Sequence, residues 1–197
     1  MTVTSGEGAE WEGALGLEMH TVRVVAHRPE WQGLYEEERR ALLERVGHLA
    51  VAVQHAGSTA VPGLGAKPII DIALPVPSTE AIPYLVRPLG ELGYVYRGDA
   101  GNDGGHMFGK ESAPDVRIHH LHVMAADDPQ WHEWLLFRDK LRADEELRAR
   151  YFELKKACKS GTLETAKDTP KRSTSSSAAW CIRVPNIAIN PATHRRT

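Results

Sequence analysis

"HAGSTAVPGLGAKPIID", residues 55–71, is the stretch on which the reading of this chain turns. It follows the apolar "LAVAVQ" (49–54) and runs into "IIDIALPV" (69–76). Both flanking runs predict strands, and the second, apolar on both faces, predicts a buried one. Gly57 and Ser58 therefore stand at the exit of one strand and Asp71 inside the next. Glycine lets a backbone approach an anion closely, and neighbouring N–H groups with a hydroxyl can point at its oxygens. Gly57, Ser58 and Thr59 are the candidate phosphate grip, with Lys67 adding positive charge. The same glycines and prolines also suit a plain tight connection. No G-x-x-x-x-G-K-[ST] pattern is present, so this is not a Walker loop.

Asp71 is the one charged residue in its run. Burying a carboxylate is costly unless it is paired or holds a cation. A salt bridge to Lys67 or an arginine is the structural alternative to a metal bridging to phosphate. Strand alternation puts Ile69, Asp71 and Ala73 on one face, with Ile70, Ile72 and Leu74 on the other. A second cluster, "RIHHLHV" (117–123), also predicts a strand. There His120 and His122 share a face with Ile118 and Met124, while His119 lies opposite with Arg117 and Leu121. Two imidazoles on one face suit a transition metal, and Asp71 on a neighbouring strand would complete the set. They also suit phosphate binding or general acid–base work. A third group, "LLFRDKLRADEELRARYFELKK", carries Arg138, Arg142 and Lys155. Arg138 and Arg142, four apart, share a helix face, which is either a solvated surface or a guanidinium fork for phosphate.

Around these clusters the elements alternate. Residues 22–26 read as a short strand. A helix follows from Pro29, carrying Trp31, Leu34, Tyr35, Leu42 and Val46, to a stop at Gly47. Ser78 is a helix N-cap, with Pro88 arguing for a kink before Gly93. "YVYR", "HMFGK" and "VRIHHLHVM" read as strands. A long helix from near Trp131 gives way to a second capped at Asp144, with Glu145 and Glu146 first and lysines last, as the helix dipole favours. Leu147, Tyr151, Leu154 and Cys158 form its apolar stripe. Residues 1–20 read as a weakly ordered lead-in and 164–197 as a loop-like or disordered tail, leaving 21–163 as one α/β (α+β) domain with a mixed sheet.

Composition narrows the function classes. At 197 residues, 42% hydrophobic and 25% charged, the chain is ordinary for a globular domain. A net charge of −2 gives no reason to expect nucleic acid or an anionic membrane as partner. Two cysteines, Cys158 and Cys181, make neither a disulfide framework nor a Cys-rich zinc site. The opening segment is too acidic for a secretory signal, and the expected location is cytoplasmic.

Taken together, "HRPEW" (27–31), "HAGSTAVPGLGAKPIIDI" (55–72), "HHLHV" (119–123), "FRDKLR" (137–142) and "YFELKKA" (151–157) resemble the GrpB family of the nucleotidyltransferase superfamily. The resemblance covers about Val22 to about Leu163, and its second motif is long and specific. It implies a nucleotidyltransferase-like mixed sheet flanked by helices, with the Gly-Ser turn at one edge of a cleft. Some members of this poorly characterised family are joined to a dephospho-coenzyme A kinase domain. In active members of the superfamily a Gly-Ser pair grips nucleotide phosphates, and an Asp-x-Asp/Glu pair plus a third acid hold divalent metal. Gly57, Ser58 and Asp71 match. Ala73 stands at the second acid and Pro75 cannot replace it, while His120 and His122 occupy the place of the third. Such a donor set suits one softer ion, or phosphate itself, better than paired Mg²⁺. The tail after 163 departs from the family's Tyr, Lys and aromatic pattern. The implied function is binding of a nucleotide or other phosphorylated small molecule with a divalent ion (Mg²⁺, Mn²⁺ or Zn²⁺), with nucleotidyl or phosphoryl transfer. The alternatives are a non-catalytic nucleotide-binding or regulatory domain, and a metal-dependent hydrolase.

Overall fold

The computed structural model describes residues 14–19, 21, 23–100 and 105–159. The tail from 164, Cys181 and the side chain of Cys158 lie outside the described residues. Six strands form one mixed sheet in the order β2-β3-β6-β5-β4, where β2 is Gln54–Ala56, β3 Ile70–Val76, β4 Tyr94–Asp99, β5 His106–Ala113 and β6 Val116–Ala125. The short β1, Leu17–Glu18, pairs with the start of β6. Strands β3 and β6 run parallel, and every other pairing is antiparallel.

The pleat sorts the side chains as the alternation predicts. One face carries Ile70, Ile72, Leu74, Leu121, Val123 and Phe108, all with no solvent exposure. Helices α1 (Glu30–Val46) and α2 (Ile82–Glu91) cover it with Leu42, Val46, Leu85 and Leu89. Burying side chains of this size contributes about 1.5–3 kcal/mol each, so this layer supplies most of the fold's stability. One ion pair crosses it: Lys110 Nζ lies 2.8 Å from an oxygen of the buried Glu38. The opposite face carries Asp71, Ala73, His120, His122 and Met124. There α3 (Pro129–Ala143) packs Trp131, Trp134 and Leu135 over Ala56, Ala73 and Met124. Helix α4 (Glu145–Lys159) then joins α3 in clamping the loop after β2, through Val61, Leu64, Leu141 and Tyr151.

Capping follows the sequence closely. Asp128 Oδ1 accepts from Gln130 N at 2.9 Å, starting α3 two residues before Trp131, and Asp144 Oδ1 accepts from Leu147 N at 2.9 Å, opening α4. Ser78 caps a 3₁₀ turn, Thr79–Ala81, that leads into α2. Pro88 lies within α2 without ending it.

Three expectations shift. Of the strand expected at 22–26, the described residues 23–26 supply a single antiparallel bridge, Val25 to Ala66. The run 49–54 becomes a 3₁₀ turn, Gly47–Leu49, and an extended segment; only Gln54–Ala56 is laddered. Beyond the ladder the segment still touches β3, Val51 N donating to the Pro75 carbonyl at 2.8 Å, while on the open edge the Val53 carbonyl accepts from Tyr35 Oη at 3.0 Å. Part of the lead-in is also held in place. Leu17 is 4% exposed and the Ala14 carbonyl accepts from Trp31 Nε1 at 2.9 Å. Among the described residues no helix is long and apolar enough to cross a membrane.

Candidate metal centre beside the Gly-Ser turn

The parallel register of β3 and β6 sets Asp71 opposite His120 and Ala73 opposite His122. Because residues two apart share a face, Asp71, His120 and His122 converge on the face that α1 and α2 leave alone. Asp71 Oδ1 is 3.2 Å from His120 Nδ1 and 3.8 Å from His122 Nε2. One ligand atom from each lies within 4.8 Å of the others. Donors about 2.0–2.1 Å from a tetrahedral zinc sit about 3.3 Å apart, so small side-chain adjustments would seat such an ion. The donor set, one carboxylate oxygen with two imidazole nitrogens, fits a borderline transition ion better than Mg²⁺, which demands oxygen. The far nitrogen of His120, Nε2, is buried with no partner among the described residues, an uncompensated polar atom of the kind functional sites retain.

Electrostatics prepare the trio for a cation. Burial pushes the Asp71 carboxyl up, but hydrogen bonds to His120 and His122 outweigh it and hold the group well below the usual carboxylate range. Burial lowers His120, against the opposing pull of Asp71, so its ring is neutral at pH 7, and an ion shared with Asp71 would take the place of the Nδ1 proton. The Asp71 side chain keeps 20% of its surface exposed, against 7% for His120 and 6% for His122. Entry to the cluster is therefore from the carboxylate side. Trp134 on α3 meets His122 edge-on, with ring centroids 5.2 Å apart, and closes the other flank.

Gly57 is what lets the turn reach this carboxylate. Its φ of 67° and ψ of −170° lie in a region essentially reserved for glycine, and a Cβ there would fall on Asp71 Oδ2. Ser58 follows at the start of a 3₁₀ turn, Ser58–Ala60, and its Oγ accepts from Lys155 Nζ at 2.9 Å. Lys155 also donates to the Gly65 carbonyl at 3.2 Å, so α4 delivers an ammonium to the hydroxyl of the Gly-Ser pair. That approach needs Gly65 bare, since a Cβ there would collide with the Phe152 ring.

The other candidates sit differently. Thr59 is buried, with its hydroxyl 3.1 Å from His55 Nε2. Lys67 is half-buried on the segment entering β3. Arg138 is not brought to the carboxylate: it forks onto Asp139 at 2.8 and 3.1 Å and donates to the His55 carbonyl at 2.8 Å, at the outer edge of β2. Its default as a freely solvated helix charge gives way to a structural clamp. Ala73 has no exposure and packs with Ala56, Met124 and Trp131. Sequence reasoning passed over Trp134 and His55. Trp134 stands four residues before Arg138, a helical spacing that was the one available signal.

His55 carries a test of the fold around the turn. It stacks on Tyr35 at 4.4 Å, and its Nδ1 is buried without a partner among the described residues. Burial, opposed by Asp71 and reinforced by Arg142 and Arg138, lowers its pKa to about 3; burial first of all lowers His119 to about 4. A histidine depressed in the folded state binds its proton in the unfolded chain first, so stability is lost as pH falls below the unfolded value. From pH 7 to pH 5 each is expected to remove about 2 kcal/mol. Urea unfolding across that window checks this, and His55→Phe should recover its own share, about 2 kcal/mol. A flat profile would contradict it.

Comparison with known proteins bears on the family and the fold. The family model described as GrpB protein matches residues 21–172. UPF0157 protein YqkA of Bacillus subtilis is 34% identical over 135 residues, covering 68% of this chain and 39% of the relative. A dephospho-CoA kinase of Mycolicibacterium paratuberculosis is 33% identical over 159 residues, covering 69% of this chain and 39% of the kinase. The chain thus spans about two fifths of the length of these two relatives. The crystal structure of conserved protein GrpB from Enterococcus faecalis superposes with a TM-score of 0.63 at 33% identity, covering 71% of this chain and 85% of that one. A family match across most of the domain and a shared fold at one-third identity make this chain a member of the GrpB family.

Proposed function

We propose that this chain binds a phosphorylated small molecule, nucleotides included, at Gly57–Ser58 and Lys155, beside a single divalent ion held by Asp71, His120 and His122. One observation supports it above the rest: a carboxylate and two imidazoles converge beside a glycine turn whose backbone tolerates no side chain. When bound, the ion would polarise a phosphoryl oxygen. The protein's own contributions are separable. The Gly57 and Ser58 amides and the Ser58 hydroxyl orient the phosphate, while Lys155 balances its charge. Asp71, ionised at neutral pH, fixes the two rings. The reaction class this favours is nucleotidyl or phosphoryl transfer with one ion rather than two. Ala73, sealed in apolar packing where a second acid would stand, favours a second reading, binding without turnover. The kinase relative's printed name brings coenzyme A precursors into the ligand panel.

The test is metal content of protein purified without chelator, followed by calorimetric titration of Zn²⁺, Mn²⁺ and Mg²⁺. Asp71→Asn and His120→Ala are each expected to weaken binding of the preferred ion by about a hundredfold or more, since even indirect partners of a metal ligand cost ~10–100-fold. Nucleotides and coenzyme A precursors should then raise the melting temperature only with the ion present. Equal ion affinity in wild type and Asp71→Asn would remove the metal from the proposal. Ligand-induced stabilisation with no product formed would select the second reading.

A further inference from the structure

An open groove lies along the outer edge of β2, between α1 and α3. It spans about 430 Å³, and Asp71, His120 and His122 are not among its lining residues. That is the size of a site for a small molecule. Strand addition is blocked there, because Tyr35 Oη and Arg138 Nη1 take the carbonyls of Val53 and His55. The walls are charged. Arg39 stands on α1, and Arg138 and Arg142 on α3.

Their commitments differ. Arg138 is 11% exposed and fully engaged with Asp139 and the backbone. Arg142 gives one N–H to the Ala60 carbonyl at 2.9 Å and one to Asp139 at 3.4 Å, which leaves part of its fork unspent. Among the described residues Arg39 pairs loosely with Glu36, 3.9 Å away, and Glu36 in turn accepts from Gln32 Nε2 at 3.0 Å. Three guanidinium groups thus meet two carboxylates, Glu36 and Asp139, a surplus of one positive charge. Burial, and then the charge of Arg138, disfavour the protonated Arg142, a penalty that a bound anion would relieve.

We infer that this groove is an oxyanion site, separate from the metal cluster, in which Arg39 and Arg142 close from opposite walls on a compact, multiply charged anion of phosphate or polycarboxylate type. Guanidinium forks match such oxygens in pairs. The groove also touches the Gly-Ser turn from both sides. Arg138 holds the His55 carbonyl, two residues before Gly57, and Arg142 holds the Ala60 carbonyl, two after Ser58. An anion that draws on Arg142 acts directly on the segment that positions Ser58.

The experiment is calorimetric titration of the full chain with inorganic pyrophosphate and with citrate, at low salt and with chelator present so that the metal cluster is out of play. Wild type is expected to bind at least one of them. Arg39→Gln and Arg142→Gln should each weaken that binding tenfold or more. Glu36→Gln should tighten it severalfold, because it removes the nearest repelling charge, and Asp71→Asn should leave it unchanged. Arg142→Gln also gives up the bond to Ala60 and can loosen the turn; Arg39→Gln makes no backbone contact and carries the test alone. Whichever anion binds tighter names the ligand class. Failure of both to bind at millimolar concentration, or equal affinity in wild type and Arg39→Gln, overturns the inference. Loss of binding in Asp71→Asn would move the anion to the metal cluster and overturn it as well.

Discussion

Gly57→Ala is expected to lower stability by about 3 kcal/mol and to abolish ion binding at Asp71. Two costs add. The backbone at φ 67°, ψ −170° is open to glycine alone, and holding an alanine there costs on the order of 1–3 kcal/mol. The new methyl would also fall on Asp71 Oδ2 and lie 3.1 Å from its Cβ and Cγ. Relief needs either the turn or the carboxylate to move. If the carboxylate rotates, its bonds to His120 and His122 go, and a charged hydrogen bond lost in a half-buried site costs about 1.5–3 kcal/mol. If the turn shifts, Ser58 leaves Lys155. Either way the trio of Asp71, His120 and His122 and the proposed anion grip can no longer coexist. Urea unfolding gives the first number and calorimetric metal titration the second. A Gly57→Ala protein that is as stable as wild type and still binds its ion would show that the turn does not constrain Asp71, and the link between the two halves of the site would be lost.

The strands that matter most announce themselves through alternation. In β6 the order Ile118, His120, His122, Met124 against His119, Leu121, Val123 separates the two faces as the pleat demands, and β3 does the same around Asp71. The start of α4 was legible in its cap, Asp144, whereas α3 begins two residues ahead of the expected Trp131, behind the cap Asp128. Strand β2 was not legible. Its apolar run is long enough for six residues of ladder, yet only Gln54–Ala56 pairs with β3, and on the open edge Tyr35 and Arg138 bond to the Val53 and His55 carbonyls. Nothing local in "LAVAVQ" encodes where that pairing starts.

What brings Asp71 and His120 together is not in either segment. They are 49 residues apart, and their contact depends on β3 pairing with β6 in parallel rather than with β4 or β5. A one-residue slip in that pairing would turn one set of side chains to the other face. The register is held by burial of Ile70, Ile72 and Leu74 alongside His119, Leu121 and Val123, a property of the assembled core. Arg138 shows the converse. Helical spacing put it beside Arg142, yet its strongest partner is the adjacent Asp139, reached by the length of its own side chain, and its backbone contact belongs to a strand 83 residues earlier.

Restoring the missing acid is expected to damage the protein rather than repair a two-metal centre. Ala73→Asp would place a carboxylate where exposure is nil, among Ala56, Met124 and Trp131, with Gln54 and His122 as its strand neighbours. An unpaired buried carboxylate costs several kcal/mol, so a loss of about 3–5 kcal/mol is expected, or roughly 10 °C in melting temperature for a chain of this size. His122 is the one neighbour able to offset it, but Asp71 already draws on that ring at 3.8 Å. Two carboxylates on one strand face also raise each other's pKa, adding to the upward push of burial. The sign of the pH dependence follows. With its folded pKa raised, the introduced carboxyl group is tolerated best below the unfolded value, and the deficit relative to wild type grows as pH rises from about 4 towards neutrality. Thermal and urea unfolding of Ala73→Asp at pH 4.5 and 7.5, with and without Mg²⁺, separates the outcomes. A variant of wild-type stability that takes up two Mg²⁺ per chain would mean that the apolar seal over position 73 opens readily. A destabilised variant whose deficit shrinks in acid would mean that α3, through Trp131, has closed the place where a second acid would stand.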